Sequence, residues 1–166
     1  MKVILETNRL LLRELDVNDA ERFYQLNENP KVIQYTGNSA FASLAEAKDF
    51  LSNYQDYKLN GFGRWAVIDK QTEAFLGWCG LKFCEVENEV DIGFRFFEEH
   101  WNHGYATESA KACLEYGFEK LGLRRIVGRA MKENIASVKV LEKIGLQYER
   151  DMYFEGREAV MYVGEQ

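Results

Sequence analysis

A predicted strand that leads through a glycine loop into a helix is the most constraining feature of this sequence. The strand spans residues 89–96, and the loop and helix start spell WNHGYATE at residues 101–108. Such a junction directs unpaired backbone N–H groups and the positive end of the helix dipole towards one point, where phosphate oxygens bind. Gly104 leaves room for an anion to come close, and Ala106 is small for the same reason. The same letters also fit an ordinary helix start, so both interpretations stay open from these residues alone.

Two common phosphate-binding loops are excluded by the letters of this segment. It lacks the Gly-Lys-Ser or Gly-Lys-Thr ending of a nucleoside triphosphate loop, and it lacks the GxGxxG pattern of dinucleotide-binding folds. The net charge of −6 is also unfavourable for nucleic acid, because binding phosphate backbones requires a basic face. An acidic protein suits a cationic substrate such as an amine, although the charge also fits a role in solubility alone.

The length of the chain and the distribution of its cysteines, histidines and apolar residues predict one globular domain over residues 1–166, with no metal and no membrane segment. Its three cysteines, Cys79, Cys84 and Cys113, are too widely spaced and odd in number for a disulfide framework. The two histidines, His100 and His103, have no cysteine nearby, so a zinc site is not expected. The N-terminal letters are too charged for a signal peptide, and no run approaches about 20 apolar residues. A reduced, cytoplasmic setting is therefore expected.

Hydrophobic periodicity and turn residues predict the order of strands and helices. Seven strands are predicted, at residues 9–15, 64–69, 74–84, 89–96, 125–130, 146–154 and 157–163. Four helices are predicted, from Asp16 towards Pro30, from Ser43 to Asn60, and at residues 104–121 and 135–144. Asp16 and Ser43 are typical N-caps, while Gly122 and Gly145 stand where left-handed residues end helices.

The fold class that follows is α/β (α+β), a mixed, mostly antiparallel sheet with helices on both faces. Short polar connections between strands favour antiparallel neighbours. The helix at residues 104–121 connects two strands by a crossover, which should be right-handed and make one parallel pair.

Three stretches, in this order and spacing, resemble the GNAT acetyltransferases over essentially the whole chain. The first two are Val90-Asp91-Ile92-Gly93-Phe94 and, after six residues, the WNHGYATE segment. The next is residues 134–146, NIASVKVLEKIGL. The opening NRLLLR at residues 8–13, with Trp101, resembles the branch that contains the ribosomal-protein-alanine N-acetyltransferases. One departure is Leu141, because many members have a tyrosine there that protonates the departing thiolate.

The resemblance implies a seven-stranded twisted GNAT sheet that splays between its fourth and fifth strands, and it implies acetyl-CoA as cosubstrate. The backbone of five residues would hold the pyrophosphate: His103, Gly104, Tyr105, Ala106 and Thr107. Freed backbone groups at the splay would pair with the pantetheine arm: Phe94, Arg95 and Phe96. Asn134 would lie near the same arm and also cap its helix. Thr107 is alternatively a plain helix residue, and Arg95 an exposed strand residue.

Three residues are candidate catalytic groups in this interpretation. Asp91 and Glu89 share one strand face near the expected thioester, so either could take a proton from the amine. Mutual repulsion at this i, i+2 spacing would raise their basicity. Ser137, near the start of the last helix, is a candidate donor to the leaving thiolate. A solvated polar face and simple helix-start solvation are the alternative interpretations.

The acceptor is the least determined partner, and either a small-molecule amine or a protein N-terminus fits. The N-terminal helices and residues 29–42 should form one wall of an acidic acceptor cleft. Four aromatic residues are candidates for its lining, or else for the core: Tyr35, Phe41, Tyr54 and Trp65. Two other functions stay open, a non-catalytic acetyl-CoA sensor and an interaction domain. A homodimer through the edge of the final hairpin is also expected to be feasible.

Overall fold

One mixed sheet with helices on both faces forms the scaffold in the computed structural model, which describes residues 2–166. Its strands are β1 Val3–Glu6, β2 Leu10–Glu14, β3 Arg64–Asp69, β4 Phe75–Cys84, β5 Glu89–Phe96, β6 Arg125–Met131, β7 Gln147–Phe154 and β8 Arg157–Glu165. Its helices are α1 Ala20–Leu26, α2 Pro30–Ile33, α3 Leu44–Ser52, α4 Asp56–Asn60, α5 Tyr105–Glu119 and α6 Ile135–Lys143. The strand order is β1-β2-β3-β4-β5-β6-β8-β7. The fold class is confirmed, with eight strands in place of the predicted seven.

The additional strand is β1, which pairs antiparallel with β2 at the edge of the sheet. It has only four residues and a register shift between Val3 and Leu5, so it carries too little alternation to be found from sequence. The strand that follows is shorter than predicted and ends at Glu14. The backbone N–H of Leu15 leaves the ladder there and donates to Tyr57 Oη at 2.9 Å.

The predicted splay lies between β5 and β6. These strands are parallel and pair only from Val90–Ile126 to Ile92–Gly128. Beyond Ile92 and Gly128 they separate, although β5 stays paired with β4 and β6 stays paired with β8. The result is a gap in the middle of the sheet, next to the crossover helix α5.

The N-terminal helices differ from prediction in their boundaries. Asp16 does cap, but the first turn at Val17–Asp19 is a 3₁₀ helix that continues into α1. The helix predicted from Ser43 to Asn60 is two helices, because the side chain of Asn53 donates to the Asp49 carbonyl at 2.9 Å. That bond ends α3, and a short turn precedes α4.

The two faces of the sheet carry different helices. Helices α5 and α6 cover the face that includes Trp65 and Leu81, and α1 and α3 cover the opposite face around Ala66. The alternation of side chains along β3 explains this division.

Candidate active site

A cleft of about 620 Å³ runs through the gap between β5 and β6. Phe94 and Ala130 line it from the two separating strands, and Asn134 and Ser137 line it from the start of α6. The segment after α1 closes the other side. Ligand pockets commonly have volumes of about 300–1,000 Å³, so the cleft has the size of a small-molecule site.

The backbone of β5 offers hydrogen-bonding groups to this gap. The N–H of Phe97 donates to the Leu76 carbonyl on β4 at 3.1 Å. Because backbone direction alternates along an antiparallel strand, the polar groups of Arg95 also face β4, whereas those of Phe94 and Phe96 face the gap. The Phe96 carbonyl accepts from the Trp101 indole at 2.9 Å. Of the three residues predicted for the pantetheine arm, Phe94 lines the cleft with its backbone groups facing the gap, and Arg95 contributes its side chain. Phe96 does not line the cleft, and its carbonyl is already bonded to the Trp101 indole.

The start of α5 has the predicted geometry at Gly104, which is its N-cap with φ of 80°. The first helical bond runs from the Glu108 N–H to the Gly104 carbonyl. The N–H groups before it, at Tyr105, Ala106 and Thr107, therefore lack helical acceptors. His103 is exposed, with Nδ1 2.8 Å from the Trp101 carbonyl. None of residues 103–107 lines the cleft, so this helix start is a separate surface feature at the far end of the loop after β5.

A cation that the sequence analysis did not assign lies beside this helix start. The guanidinium of Arg9 lies 4.5 Å from the Tyr105 ring centroid. Its Nη2 is 3.4 Å from the position that a Cβ would take on Gly104. A positive side chain next to free N–H groups strengthens the attraction for an anion.

Glu108 fixes the position of that arginine. Its carboxylate accepts from Thr7 Oγ1 at 2.5 Å, from the Arg9 backbone at 3.0 Å and from Arg9 Nε at 2.8 Å. Burial alone would raise the pKa of Glu108, but the hydrogen bonds from Thr7 and Arg9 outweigh it, so this pKa is lowered. The ionised carboxylate thus connects the β1–β2 turn to α5.

Replacing Glu108 by glutamine is expected to lower the free energy of unfolding by about 1 kcal/mol at neutral pH, because the charged acceptor is lost from a partly exposed site. Since the folded-state pKa is lowered, the wild-type advantage is complete above the ordinary glutamate pKa of about 4.3 and shrinks as the pH falls through the folded value. Urea unfolding between pH 3 and 8 measures it. Glu115→Gln, on the exposed face of the same helix, is the control. A difference in unfolding free energy between the wild type and Glu108→Gln that does not change with pH would contradict a lowered pKa of Glu108.

The two predicted carboxylates belong to one ion-pair network with two arginines. Asp91 lies 2.8 Å from Arg64 Nη2 and 3.1 Å from Arg129 Nη1, and Glu89 contacts Arg129 Nη2. Arg129 therefore lies between the carboxylates, and the expected mutual repulsion is offset. The Arg64 nitrogen is out of line for a hydrogen bond, which leaves the buried Asp91 Oδ1 without a donor. Asp91 lines the cleft and Glu89 does not, so only Asp91 can reach an acceptor bound there.

The start of α6 places Asn134 and Ser137 together. Asn134 Oδ1 accepts from the Ser137 backbone N–H at 3.3 Å, which confirms the predicted cap. The Ser137 hydroxyl is not used in this cap, and both residues are half-buried in the cleft wall. Leu141 lines the cleft one turn further on and is 1% exposed, so an apolar side chain stands where many family members have tyrosine.

Three of the four aromatic candidates line the cleft: Tyr35, Phe41 and Tyr54. Trp65 does not, because it points to the opposite face of the sheet, is 1% exposed and packs edge-on against Tyr116. The period of two along β3 places it there beneath α5.

The cleft is not acidic, contrary to the expectation from net charge. Its charged lining consists of three acidic and four basic residues: Asp56, Glu87, Asp91, Arg64, Lys82, Arg95 and Arg129. The excess of acidic residues lies elsewhere on the surface. The overall charge of −6 therefore gives no guide to the acceptor.

Within residues 2–166 no group of three or more His, Cys, Asp or Glu side chains is arranged to hold a metal ion. Cys79 and Cys113 are buried with their sulfur atoms 3.8 Å apart, and Cys84 is half-buried. None of the helices described in this range is long and apolar enough to cross a membrane.

Comparison with known proteins connects this geometry to one family. The family model described as "Acetyltransferase (GNAT) domain" matches residues 9–147. The chain is 33% identical over 147 residues to the uncharacterized N-acetyltransferase p20 of Bacillus licheniformis, covering 87% of this chain and 83% of p20. A GNAT-family acetyltransferase from Bacillus anthracis superposes with a TM-score of 0.82 at 26% identity, covering 99% and 98% of the two chains.

RimL, a ribosomal L7/L12 α-N-protein acetyltransferase solved with coenzyme A, superposes with a TM-score of 0.84 at 18% identity. The alignment covers 99% of this chain and 98% of RimL. At this identity the likeness shows a shared fold. The assignment to the ribosomal-protein branch therefore stays a prediction.

Proposed function

Because this chain belongs to the GNAT acetyltransferase family, we propose that it transfers the acetyl group of acetyl-CoA directly to a primary amine, on a small molecule or a protein N-terminus. The observation that carries the proposal is the gap between β5 and β6, which opens into a cleft of about 620 Å³. The loop after β5 connects this gap to the glycine-capped start of α5, which lies outside the cleft. One end of this path suits phosphates and the other suits an amine.

The pyrophosphate of acetyl-CoA is assigned to the start of α5. Five residues would supply its backbone contacts: His103, Gly104, Tyr105, Ala106 and Thr107. Free N–H groups at a helix start attract anions, and the guanidinium of Arg9, which is ion-paired with Glu108, adds further N–H donors beside them. The relative RimL, which shares the fold, was solved with coenzyme A.

The pantetheine arm is assigned to the gap, where the backbone groups of Phe94 and the N–H of Phe96 lack a strand partner on β6. An extended ligand can pair with such groups as an added strand does. Asn134 lines the same gap from α6. The Phe94 N–H would face the thioester oxygen, and a donor at such an oxyanion contributes about 3 kcal/mol to lowering the barrier.

The reaction starts with a neutral amine, since alkyl ammonium groups titrate near pH 10 and cannot attack. Asp91, which lines the cleft and is ion-paired with Arg64 and Arg129, would accept the amine proton directly or through water. The nitrogen lone pair attacks the thioester carbon, and a tetrahedral intermediate forms. Its collapse breaks the C–S bond and gives the amide and a thiolate.

Ser137 would donate a proton to the thiolate, because its hydroxyl is free of the helix cap and lies in the cleft wall. Thiols titrate near 8.5, so the requirement for an acid is mild. Ser137→Ala is therefore expected to lower kcat about 10-fold, near the low end of general-acid effects. The dissociation constant of acetyl-CoA should stay unchanged, because alanine retains the backbone N–H bonded to Asn134.

Steady-state kinetics and calorimetry on Ser137→Ala check this role. Ser39→Ala removes an exposed hydroxyl from the opposite wall of the same cleft and serves as the matched control. Equal turnover of the two variants would refute proton donation by Ser137.

The deciding experiment combines acetyl-CoA calorimetry with thiol release in the presence of amines. Saturable binding with amine-dependent thiol release supports the enzyme. Binding of acetyl-CoA without thiol release in the presence of any amine would favour a non-catalytic sensor. That function is the second candidate because Leu141 stands where many family members have a tyrosine. Absence of binding to the folded protein would leave an interaction domain.

A further inference from the structure

Arg95 lies at the wall of the cleft and makes its hydrogen bonds to neutral groups. Its Nη1 donates to Asn27 Oδ1, and its Nη2 donates to Asn38 Oδ1 at 3.0 Å. The guanidinium carbon lies 5.2 Å from the centroid of Trp78. Its Nε is buried and lacks a hydrogen-bond partner. The guanidinium is therefore held in a fixed orientation by one bond from each Nη, and each of these nitrogens has a second N–H for another acceptor.

No carboxylate among residues 2–166 lies within 4.0 Å of Arg95. The neighbouring arginines do have acidic partners, since Arg64 and Arg129 share Asp91 and Glu89 between them. Arg95 is thus the one charge of this group without compensation in the described chain. Burial, and then repulsion from Arg64, lower the pKa of Arg95 to about 10.

An enclosed cation without a counter-ion is costly for the folded protein. Such perturbed charges are concentrated at functional sites, where a ligand supplies the missing partner. The guanidinium fork matches a carboxylate, to which it can donate two parallel hydrogen bonds. The position of Arg95 on the separating part of β5, in the same cleft as Asp91, places this partner within the acceptor site.

We propose that Arg95 binds a carboxylate of the acceptor, so that the substrate is a small amino acid whose reacting amine is accompanied by a free carboxylate. This inference rests on the proposed acetyl transfer and names its acceptor class. The volume of the cleft fits such a molecule. Asp91 would face the amine of the acceptor and Arg95 would bind its carboxylate. One molecule would therefore be oriented by two side chains of opposite charge.

A purely structural role for Arg95 has a different signature. As a connection between β5 and the segment around Asn27 and Asn38, it would affect stability and all acceptors equally. Carboxylate binding affects only those acceptors that carry one. The ratio of kcat/KM for two acceptors, measured within one preparation, separates these roles because the folded fraction cancels.

The experiment compares amines that differ only in the carboxylate, lysine against cadaverine and ornithine against putrescine. For the wild type, kcat/KM should favour the amino acid roughly 100-fold, because a diamine leaves the buried Arg95 guanidinium without an ionic partner. Arg95→Gln should bring this ratio close to one, and Arg95→Lys should restore part of it. Arg22→Gln is the matched control, since Arg22 also stacks on an aromatic ring, Phe97 at 4.0 Å, but lies outside the cleft.

Calorimetric titration of lysine and cadaverine into the CoA-loaded and the free protein gives a second readout that needs no turnover. Lysine binding that is lost in Arg95→Gln supports the inference. A ratio near one in the wild type, a ratio unchanged in Arg95→Gln, or acetylation of peptide N-termini alone would overturn it and leave acetyl transfer standing. Failure of acetyl-CoA binding and of thiol release would instead overturn the proposed function, and lysine titration would still report on Arg95.

Discussion

Acetyl-CoA affinity is expected to fall about 1,000-fold when Gly104 is replaced by glutamate. The side chain would put a negative charge at the start of α5, where the pyrophosphate is assigned. Charge-assisted hydrogen bonds contribute about 1.5–3 kcal/mol each, so the loss of two costs about 4 kcal/mol, which is close to three orders of magnitude in the dissociation constant. Calorimetric titration of acetyl-CoA into the wild type and the variant measures the change.

Gly61→Glu is the matched control for this experiment. Gly61 has φ of 81°, nearly the value at Gly104, and a Cβ there meets nothing within 4 Å. It therefore introduces the same left-handed strain and the same charge at a helix end away from the site. If both variants bind acetyl-CoA like the wild type, the pyrophosphate does not lie at the start of α5.

Local sequence signals predicted those parts of the fold that depend on neighbouring residues. Gly122 and Gly145 both adopt positive φ at helix ends, as a glycine after the last helical residue predicts. The parallel pair followed from one crossover helix between two strands, whereas the splay was predicted from the family resemblance. The edge strand β1 and the break between α3 and α4 at Asn53 were not predicted. A four-residue strand has little periodicity, and Asn53 acts through a side-chain bond to its own helix.

The residues of the candidate site also divide into those that the local sequence predicted and those that it did not. Gly104 and the Asn134 cap were predictable, because their roles depend on backbone within a few positions. The partners of Asp91 and Arg95 were not, because they come from distant segments: Arg64 from β3, Arg129 from β6, and Asn27 and Asn38 from the N-terminal part. Spacing within one strand indicated two neighbouring carboxylates, but only the folded sheet shows that Arg129 separates them.

Net charge was the least informative sequence property for the acceptor. The chain carries −6, yet its cleft has four basic and three acidic residues. Long-range attraction depends on the whole surface, whereas recognition depends on the few charges that a ligand touches. In the proposed site, Arg95 and Asp91 would therefore outweigh the surface carboxylates in deciding which amine is bound.

Asp91→Asn is expected to lower kcat about 1,000-fold, within the range for loss of a general base. The dissociation constant of acetyl-CoA should remain within about threefold, because the pyrophosphate and pantetheine contacts assigned above do not include Asp91. The variant should also lose about 3 kcal/mol of unfolding free energy, since Arg64 loses its partner at a site where both side chains are mostly buried. Steady-state kinetics, calorimetry and urea unfolding measure the three quantities.

Glu89→Gln separates the two consequences of losing a carboxylate from this network. Glu89 pairs with the same Arg129 and is equally buried, at 15% side-chain exposure against 16% for Asp91, but it does not line the cleft. We expect it to reduce stability and to keep kcat within about threefold, as for a residue that does not touch the reacting atoms. The residual rate of Asp91→Asn should rise with pH up to about 10 as the free amine increases, because only water then accepts the proton. Equal losses of kcat in both variants would mean that the network acts by positioning Arg129, and that proton transfer from the amine does not use Asp91.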